Sequence, residues 1–66
     1  MPEKWTGNAV GLMHVHGIKA DELAAKLGWH VKYLSTVLNG HRKPLKAENK
    51  VMAALNEVIA ERKEAE

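Results

Sequence analysis

The segment from residue 18 to residue 40 reads IKADELAAKLGWHVKYLSTVLNG and decides the fold. Leu23 and Leu27 lie four residues apart, the spacing that places two side chains on one face of a helix. Gly28 then interrupts the pattern, as glycine does where a helix must end with a positive φ. The helical spacing resumes after this glycine. The segment therefore predicts two short helices, over about residues 19–27 and 31–38.

Two further helices are predicted on either side of this segment. The first runs from Thr6 or Asn8 to His16 and ends at Gly17. We expect Ala9, Val10 and Met13 to share its inner face, with Trp5 and Ile18 packing at its ends.

The third helix is expected to close at Asn39 and Gly40, because these residue types tolerate a positive φ best. A basic loop follows over residues 40–46, where Pro44 prevents the helix from continuing. A long fourth helix is predicted over about residues 47–63. Its apolar stripe (Val51, Leu55, Val58 and Ile59) is larger than we expect a small core to absorb. The main interpretation of the charged side of this helix is a solvated face, and a homodimer through the helix stays open as the lesser alternative.

The whole pattern indicates an all-α fold with a single domain over residues 1–66. Apolar residues recur at intervals of three and four, no strand-length run alternates, and phenylalanine is absent. We expect four helices in a compact domain, or five if the region after the loop divides in two.

The two central helices meet the steric requirements of a helix-turn-helix over about residues 19–39. Ala24 supplies a small side chain where the helices cross closest, and Gly28 supplies the turn. Leucines and Val37 fill the remaining contacts, and Trp29 can cover the turn. One face of the third helix is left for a partner.

Composition limits the classes of function. The chain has 66 residues, no cysteine and 27% charged residues, and it contains no apolar run of the length that a membrane span needs. No secretory signal is recognised, so we expect a cytoplasmic protein associated with the nucleoid, with no membrane partner. Residues 19–46 contain six lysines and arginines against two acidic residues, a net charge of +4 that favours a polyanion.

Enzyme chemistry has no support in the sequence. There is no pair of nucleophile and base and no glycine-rich phosphate loop, so no catalytic residue and no cofactor is predicted. His14 and His16 are two residues apart on a helix and point in different directions, so no metal site is predicted either.

The sequence resembles a known family at this point. The stretch IKADELAAKLG over residues 18–28, followed by Leu34 and by LNGHRKP over residues 38–44, is similar to the DNA-binding domain of the lambdoid phage repressor, Cro and XRE group. This resemblance implies a lambda-repressor-like fold. It also implies sequence-specific binding of double-stranded DNA by a small bacterial or prophage-type transcriptional regulator, most simply a repressor.

The resemblance also assigns roles to residues. It implies that the third helix lies in the major groove and reads bases with Val31, Lys32, Tyr33, Ser35 and Thr36. For Tyr33 two interpretations stay open, a phosphate contact by its hydroxyl and packing of its ring on the turn. The residues implied in phosphate contacts are Lys19, His30 at the helix N-cap, Asn39, Gly40, Arg42, Lys43 and Lys46.

One departure from the family keeps a second hypothesis open. Ala20 occupies a position where relatives often place a glutamine that contacts a phosphate. The alternative is a protein-binding module that reuses the same fold, an antirepressor or antitoxin-like protein whose partner is another regulator.

Overall fold

Four α-helices account for most of residues 4–65, the part of the chain that the computed structural model describes, and no strand occurs among those residues. The helices are α1 (Lys4–His16), α2 (Ala20–Leu27), α3 (Val31–Leu38) and α4 (Ala47–Ala65). The predictions of an all-α chain and of a single long helix after the loop are therefore confirmed. The predicted α2 and α3 agree with the structure to within one residue.

The prediction for α1 was wrong in two respects. The helix already includes Lys4, the first described residue, ahead of Thr6 or Asn8; Trp5 packs against the core and Thr6 is buried. Val10 lies on the outer face and is 48% exposed. Successive residues are about 100° apart around a helix, so a face that buries Ala9 turns Val10 outward.

The core lies where α4 packs against α1 and α2, while α3 packs against α2 and to a lesser extent against α1. Its most completely buried large side chains are Leu23, Leu34, Val37, Val51 and Leu55. Full burial of one such side chain contributes roughly 1.5–3 kcal/mol to the free energy of unfolding.

The expectation that α4 carries more apolar surface than the core absorbs was wrong. Val51, Leu55 and Val58 are at most 3% exposed, and Ile59 is partly buried against the same core. Both α1 and α2 pack on this helix, so its stripe is covered within one chain. The apolar argument for a dimer through α4 is thereby removed.

The turn between α2 and α3 is closed by a glycine in the left-handed region. Gly28 has φ 73° and ψ 25°, and its N–H donates to the carbonyl of Ala25 at 3.2 Å. The N–H of Trp29 donates to the carbonyl of Ala24 at 2.9 Å. These two bonds are the Schellman pattern that ends a helix and satisfies its last carbonyls. Ala24, the small residue expected where these helices cross closest, is 2% exposed.

Ion pairs join the second half of α4 to α2. The Lys26 ammonium lies 2.5 Å from a carboxylate oxygen of Glu61 and 3.7 Å from one of Glu57. The hydrogen bond that Lys26 donates to Glu61 raises the pKa of Lys26 above its ordinary value of 10.5. Lys26 therefore stays charged at neutral pH and is engaged with α4.

Arg62 makes a second connection between these elements. Its Nη2 donates to Oε1 of Glu22 at 2.6 Å, and its Nη1 donates to the backbone carbonyl of His16 at 2.8 Å. One guanidinium thus links α4 to α2 and to the last residue of α1.

None of the helices found between residues 4 and 65 is both long enough and apolar enough to span a bilayer.

Candidate nucleic-acid interface

The N-terminus of α3 is capped by a histidine side chain. His30 has extended backbone angles, φ −71° and ψ 143°, and its Nδ1 accepts the backbone N–H of Lys32 at 3.2 Å. The sequence-based placement of His30 at the N-cap is confirmed. An accepting Nδ1 leaves Nε2 as the donor of the neutral ring, so Nε2 is the atom that can approach a phosphate.

The two sides of α3 differ in what they contact. Leu34 and Val37 are buried, and Leu38 packs partly against the core. The opposite side is solvent-accessible. It carries Val31, Lys32 and Ser35, all exposed, and the half-buried Thr36. Four of the five residues predicted to read bases therefore lie on one outward arc of the helix.

Tyr33 lies at the edge of this arc, against the turn. Its ring packs edge-to-face on the indole of Trp29, with the ring centroids 5.0 Å apart and an interplanar angle of 85°. Of the two interpretations left open by the sequence, packing on the turn is present in the structure. Because aromatic pairs prefer this edge-to-face geometry, the contact holds Tyr33 beside the outward arc.

Two hydroxyl groups on α3 already have partners. Thr36 Oγ1 donates to the carbonyl of Tyr33 at 2.7 Å, so its proton is used within the helix and its oxygen can only accept from a base. Asn39 Nδ2 donates to Ser35 Oγ at 3.4 Å. Sequence reasoning placed Asn39 only among the phosphate contacts, but an i, i+4 spacing from Ser35 brings its amide onto the same face.

The loop after α3 starts from a tight, hydrogen-bonded turn. Of the two residues expected to close α3, Gly40 adopts φ 80° and Asn39 has φ −86°, so Gly40 alone uses the positive φ that both residue types tolerate. Only one left-handed residue is needed to turn the chain here. The carbonyl of Thr36 accepts the N–H groups of His41 at 2.9 Å and Arg42 at 3.3 Å. These bonds fix the start of the basic loop against the C-terminus of α3.

The basic side chains predicted to contact phosphates lie at two separate places. Arg42, Lys43 and Lys46 are exposed on the loop. Lys19 is the N-cap of α2, at the end of that helix remote from the turn with α3. An eight-residue helix is about 12 Å long, so Lys19 lies on the order of 12 Å from the turn along α2.

Lys26 does not belong to this surface, although it contributes to the basic charge of residues 19–46. Its ammonium is paired with Glu57 and Glu61 on α4. Five cationic side chains of that segment remain exposed outside this pairing: Lys19, Lys32, Arg42, Lys43 and Lys46. Sequence alone had no signal for this, because the partners are more than 30 residues away.

A metal centre is not formed by the described residues. His14 is exposed and His16 is half-buried, and nowhere within residues 4–65 do three or more histidine, cysteine or acidic side chains cluster in a way that could hold an ion.

Comparison of the chain with known protein families, with curated proteins and with solved structures finds no match.

Proposed function

We propose that α2, the turn and α3 form a helix-turn-helix in a lambda-repressor-like domain that binds double-stranded DNA sequence-specifically. In this proposal α3 enters the major groove, and the protein acts as a small bacterial or prophage transcriptional regulator that represses its target.

The proposal rests on one observation. A short capped turn joins α2 to α3, and α3 is buried on one side and solvent-accessible on the other. Only residues 28–30 separate α2 from α3, and Gly28 makes the turn with a positive φ. Leu23 and Leu34 are fully buried on the inner sides of the two helices. A DNA-binding helix-turn-helix needs this arrangement, because its second helix must be held firmly on one side while the other side faces the bases.

The chemistry of the outward arc of α3 suits base edges. Lys32 is a donor for guanine O6 and N7, Ser35 can donate or accept, and the Val31 methyl groups, 38% exposed, suit a thymine methyl. Thr36 supplies an acceptor. α3 carries no carboxylate that would repel DNA.

The basic loop and the N-caps suit the phosphate backbone. Arg42 is held at the end of α3 by its backbone bond to Thr36, and Lys43 and Lys46 follow on the same loop. His30 and Lys19 lie at the N-termini of α3 and α2, where helix dipoles also favour anions. Such contacts position a protein on DNA without reading its sequence.

Selection of the purified chain against a randomised duplex pool tests the proposal, at about 150 mM salt, where non-specific binding is only ~10⁻⁴ to 10⁻⁶ M. We expect a defined motif to be enriched. Lys32→Ala and Ser35→Ala should change the preferred bases, whereas Arg42→Ala should weaken all sites alike. Lys26→Ala is the matched control, because that lysine is engaged with α4. A pool that stays random, or an identical motif from both recognition-helix variants, would contradict the proposal.

A second candidate, binding to another regulator protein, is favoured by the outer face of α1. Between Lys4 and Lys19 the chain has no aspartate, glutamate, lysine or arginine, and Val10 and Val15 are 48% and 76% exposed. Exposed apolar groups on one helix face are typical of protein contacts. Val15→Glu should then abolish binding to the partner regulator and leave the selected DNA motif unchanged. Loss of DNA binding in this variant would argue against a separate protein site.

A further inference from the structure

An open cavity of about 320 Å³ lies between the N-terminus of α1, the end of α3, the basic loop and the start of α4. Its volume is at the lower end of the range of small-molecule sites, roughly 300–1,000 Å³. The outward arc of α3, which the proposed function uses to read bases, does not line it. The proposed reading of bases by α3 therefore does not account for this cavity.

One part of the cavity wall is apolar. Trp5 and Pro44 are half-buried there, and Val37 is buried behind them. An indole and a proline ring give a broad apolar surface, against which a flat ring can be buried. This wall selects a ligand with an organic ring over a simple inorganic ion.

The remaining lining is strongly cationic. Arg42, Lys43 and Lys46 contribute three positive charges and Glu48 one negative charge, so the lining residues that the structure describes carry a net charge of +2. Arg42 is planar and can hold a carboxylate or phosphate group with two parallel hydrogen bonds. The positive end of the α4 dipole adds to the same field, because Glu48 and Asn49 of its first turn also line the cavity.

We infer that this cavity is a binding site for a small organic anion, a ring-bearing carboxylate or phosphate monoester. The ring lies against Trp5 and Pro44, and the anionic group is held by Arg42 and Lys46. If the chain binds DNA as proposed above, such a ligand withdraws Arg42 and Lys46 from the phosphates, so it acts as an effector that weakens DNA binding. Ligand binding itself does not depend on that function.

Fluorescence of Trp5 provides a direct test without DNA. Trp29 does not line the cavity, so the Trp29→Phe protein reports on Trp5 alone and the Trp5→Phe protein serves as the silent counterpart. The probes are phenyl phosphate and benzoate, with inorganic phosphate and phenol as the anion-only and ring-only controls, all at matched ionic strength.

We expect phenyl phosphate or benzoate to change Trp5 fluorescence saturably, with a Kd on the order of 1 mM for a ligand of about ten heavy atoms. The stronger of the two probes identifies the anionic group as phosphate or carboxylate. Arg42→Gln should weaken binding about tenfold, as loss of a charge-assisted bidentate contact does. Lys50→Gln, the same charge change on a residue outside the cavity, should have no effect.

Three results would overturn the inference. They are a response that does not saturate, equal weakening by Arg42→Gln and Lys50→Gln, and binding of phenol as tight as that of phenyl phosphate. A DNA competition measurement separates this inference from the proposed function. A chain that binds the probe but no DNA sequence keeps the cavity site and loses the regulator.

Discussion

Gly11 and Gly28 show how differently the same residue type contributes at two positions. Gly11 is in the interior of α1, and a Cβ built on it would meet nothing within 4 Å, whereas Gly28 requires φ 73°. Gly11→Ala should raise the free energy of unfolding by about 1 kcal/mol through helix propensity. That corresponds to a rise in Tm of about 4–8 °C for a domain of this size.

Gly28→Ala is the matched control. A Cβ built on Gly28 would also meet nothing within 4 Å, but the backbone at this position is left-handed. We expect it to lower the free energy of unfolding by about 1–2 kcal/mol. Thermal melts of both variants at two protein concentrations provide the measurement. If Gly11→Ala were destabilising, the outer face of α1 would have to be covered in solution.

Lys46 is a second position where the backbone conformation predicts how substitutions change the free energy of unfolding. It has φ 58° and is the only non-glycine residue with positive φ among residues 4–65. Lys46→Gly and Lys46→Ala both remove the ammonium group, but only glycine relieves the left-handed strain. The glycine variant should be more stable than the alanine variant by about 1 kcal/mol, measured by urea unfolding. Equal stabilities would mean that the loop changes conformation when the side chain is removed.

At the scale of elements, sequence predicts best those helices whose ends are set locally. The bounds of α2 and α3 follow from Gly28, His30 and Gly40, whose turn and cap roles depend on neighbours within five residues. In the first described turn of α1, Trp5 packs instead against distant parts of the chain, which no local pattern reports. Contacts between distant parts of the chain also limit how much of the proposed DNA-binding surface and of the cavity can be predicted from sequence.

That one face of α3 is free could be predicted from helical periodicity, which places Leu34, Val37 and Leu38 inward. The residues on that face were assigned by the family resemblance. The engagement of Lys26 and the cavity beside Arg42 could not be predicted. Both depend on where α4 packs, through contacts such as the pairing of Lys26 with Glu61.

Arg62 connects three helices, so its removal should weaken the packing of α4 against both α1 and α2. It bonds Glu22 on α2 and the carbonyl of His16 at the end of α1, and its Nε is buried without a hydrogen-bond partner among the described residues. Arg62→Met keeps the apolar stem and removes both bonds. We expect a loss of about 1–2 kcal/mol in the free energy of unfolding, because the carbonyl bond is partly buried and charge-assisted.

Lys26→Met is the comparison for this prediction, because it removes ion pairs in the same region that are exposed to solvent. Exposed pairs contribute little and are screened by salt. The effect of Lys26→Met should therefore be smaller and should vanish at high salt, while that of Arg62→Met should persist. Urea unfolding at low and high salt distinguishes the two. Equal salt sensitivity would show that Arg62 acts only as a surface charge.

Across the whole molecule, Glu57 and Glu61 of α4 are held away from the basic loop by their pairing with α2, whereas Glu48 at the start of α4 lies beside that loop. Glu57 and Glu61 both pair with Lys26, and Glu22 pairs with Arg62, so two cations and three carboxylates are engaged with one another within the α2–α4 contact. Arg42, Lys43 and Lys46 lie beyond that contact, on the loop after α3. A chain with a net charge of only +2 can in this way present a strongly cationic surface at one place.

If the chain binds DNA as proposed, this separation predicts how the affinity depends on salt for variants that change the net charge equally. Each phosphate contact contributes about −0.9 to the slope of log K against log salt concentration. Arg42→Ala should therefore make the slope shallower by about one unit at every sequence tested, because the loop cation is lost directly. Lys26→Ala removes the same charge from the chain but leaves Glu57 and Glu61 unpaired on α4, so its slope should stay that of the wild type.

The measurement is fluorescence anisotropy with one selected duplex over a range of salt concentrations. Equal slopes for the two variants would mean that DNA responds to the net charge of the chain and not to the arrangement of charges that the fold creates.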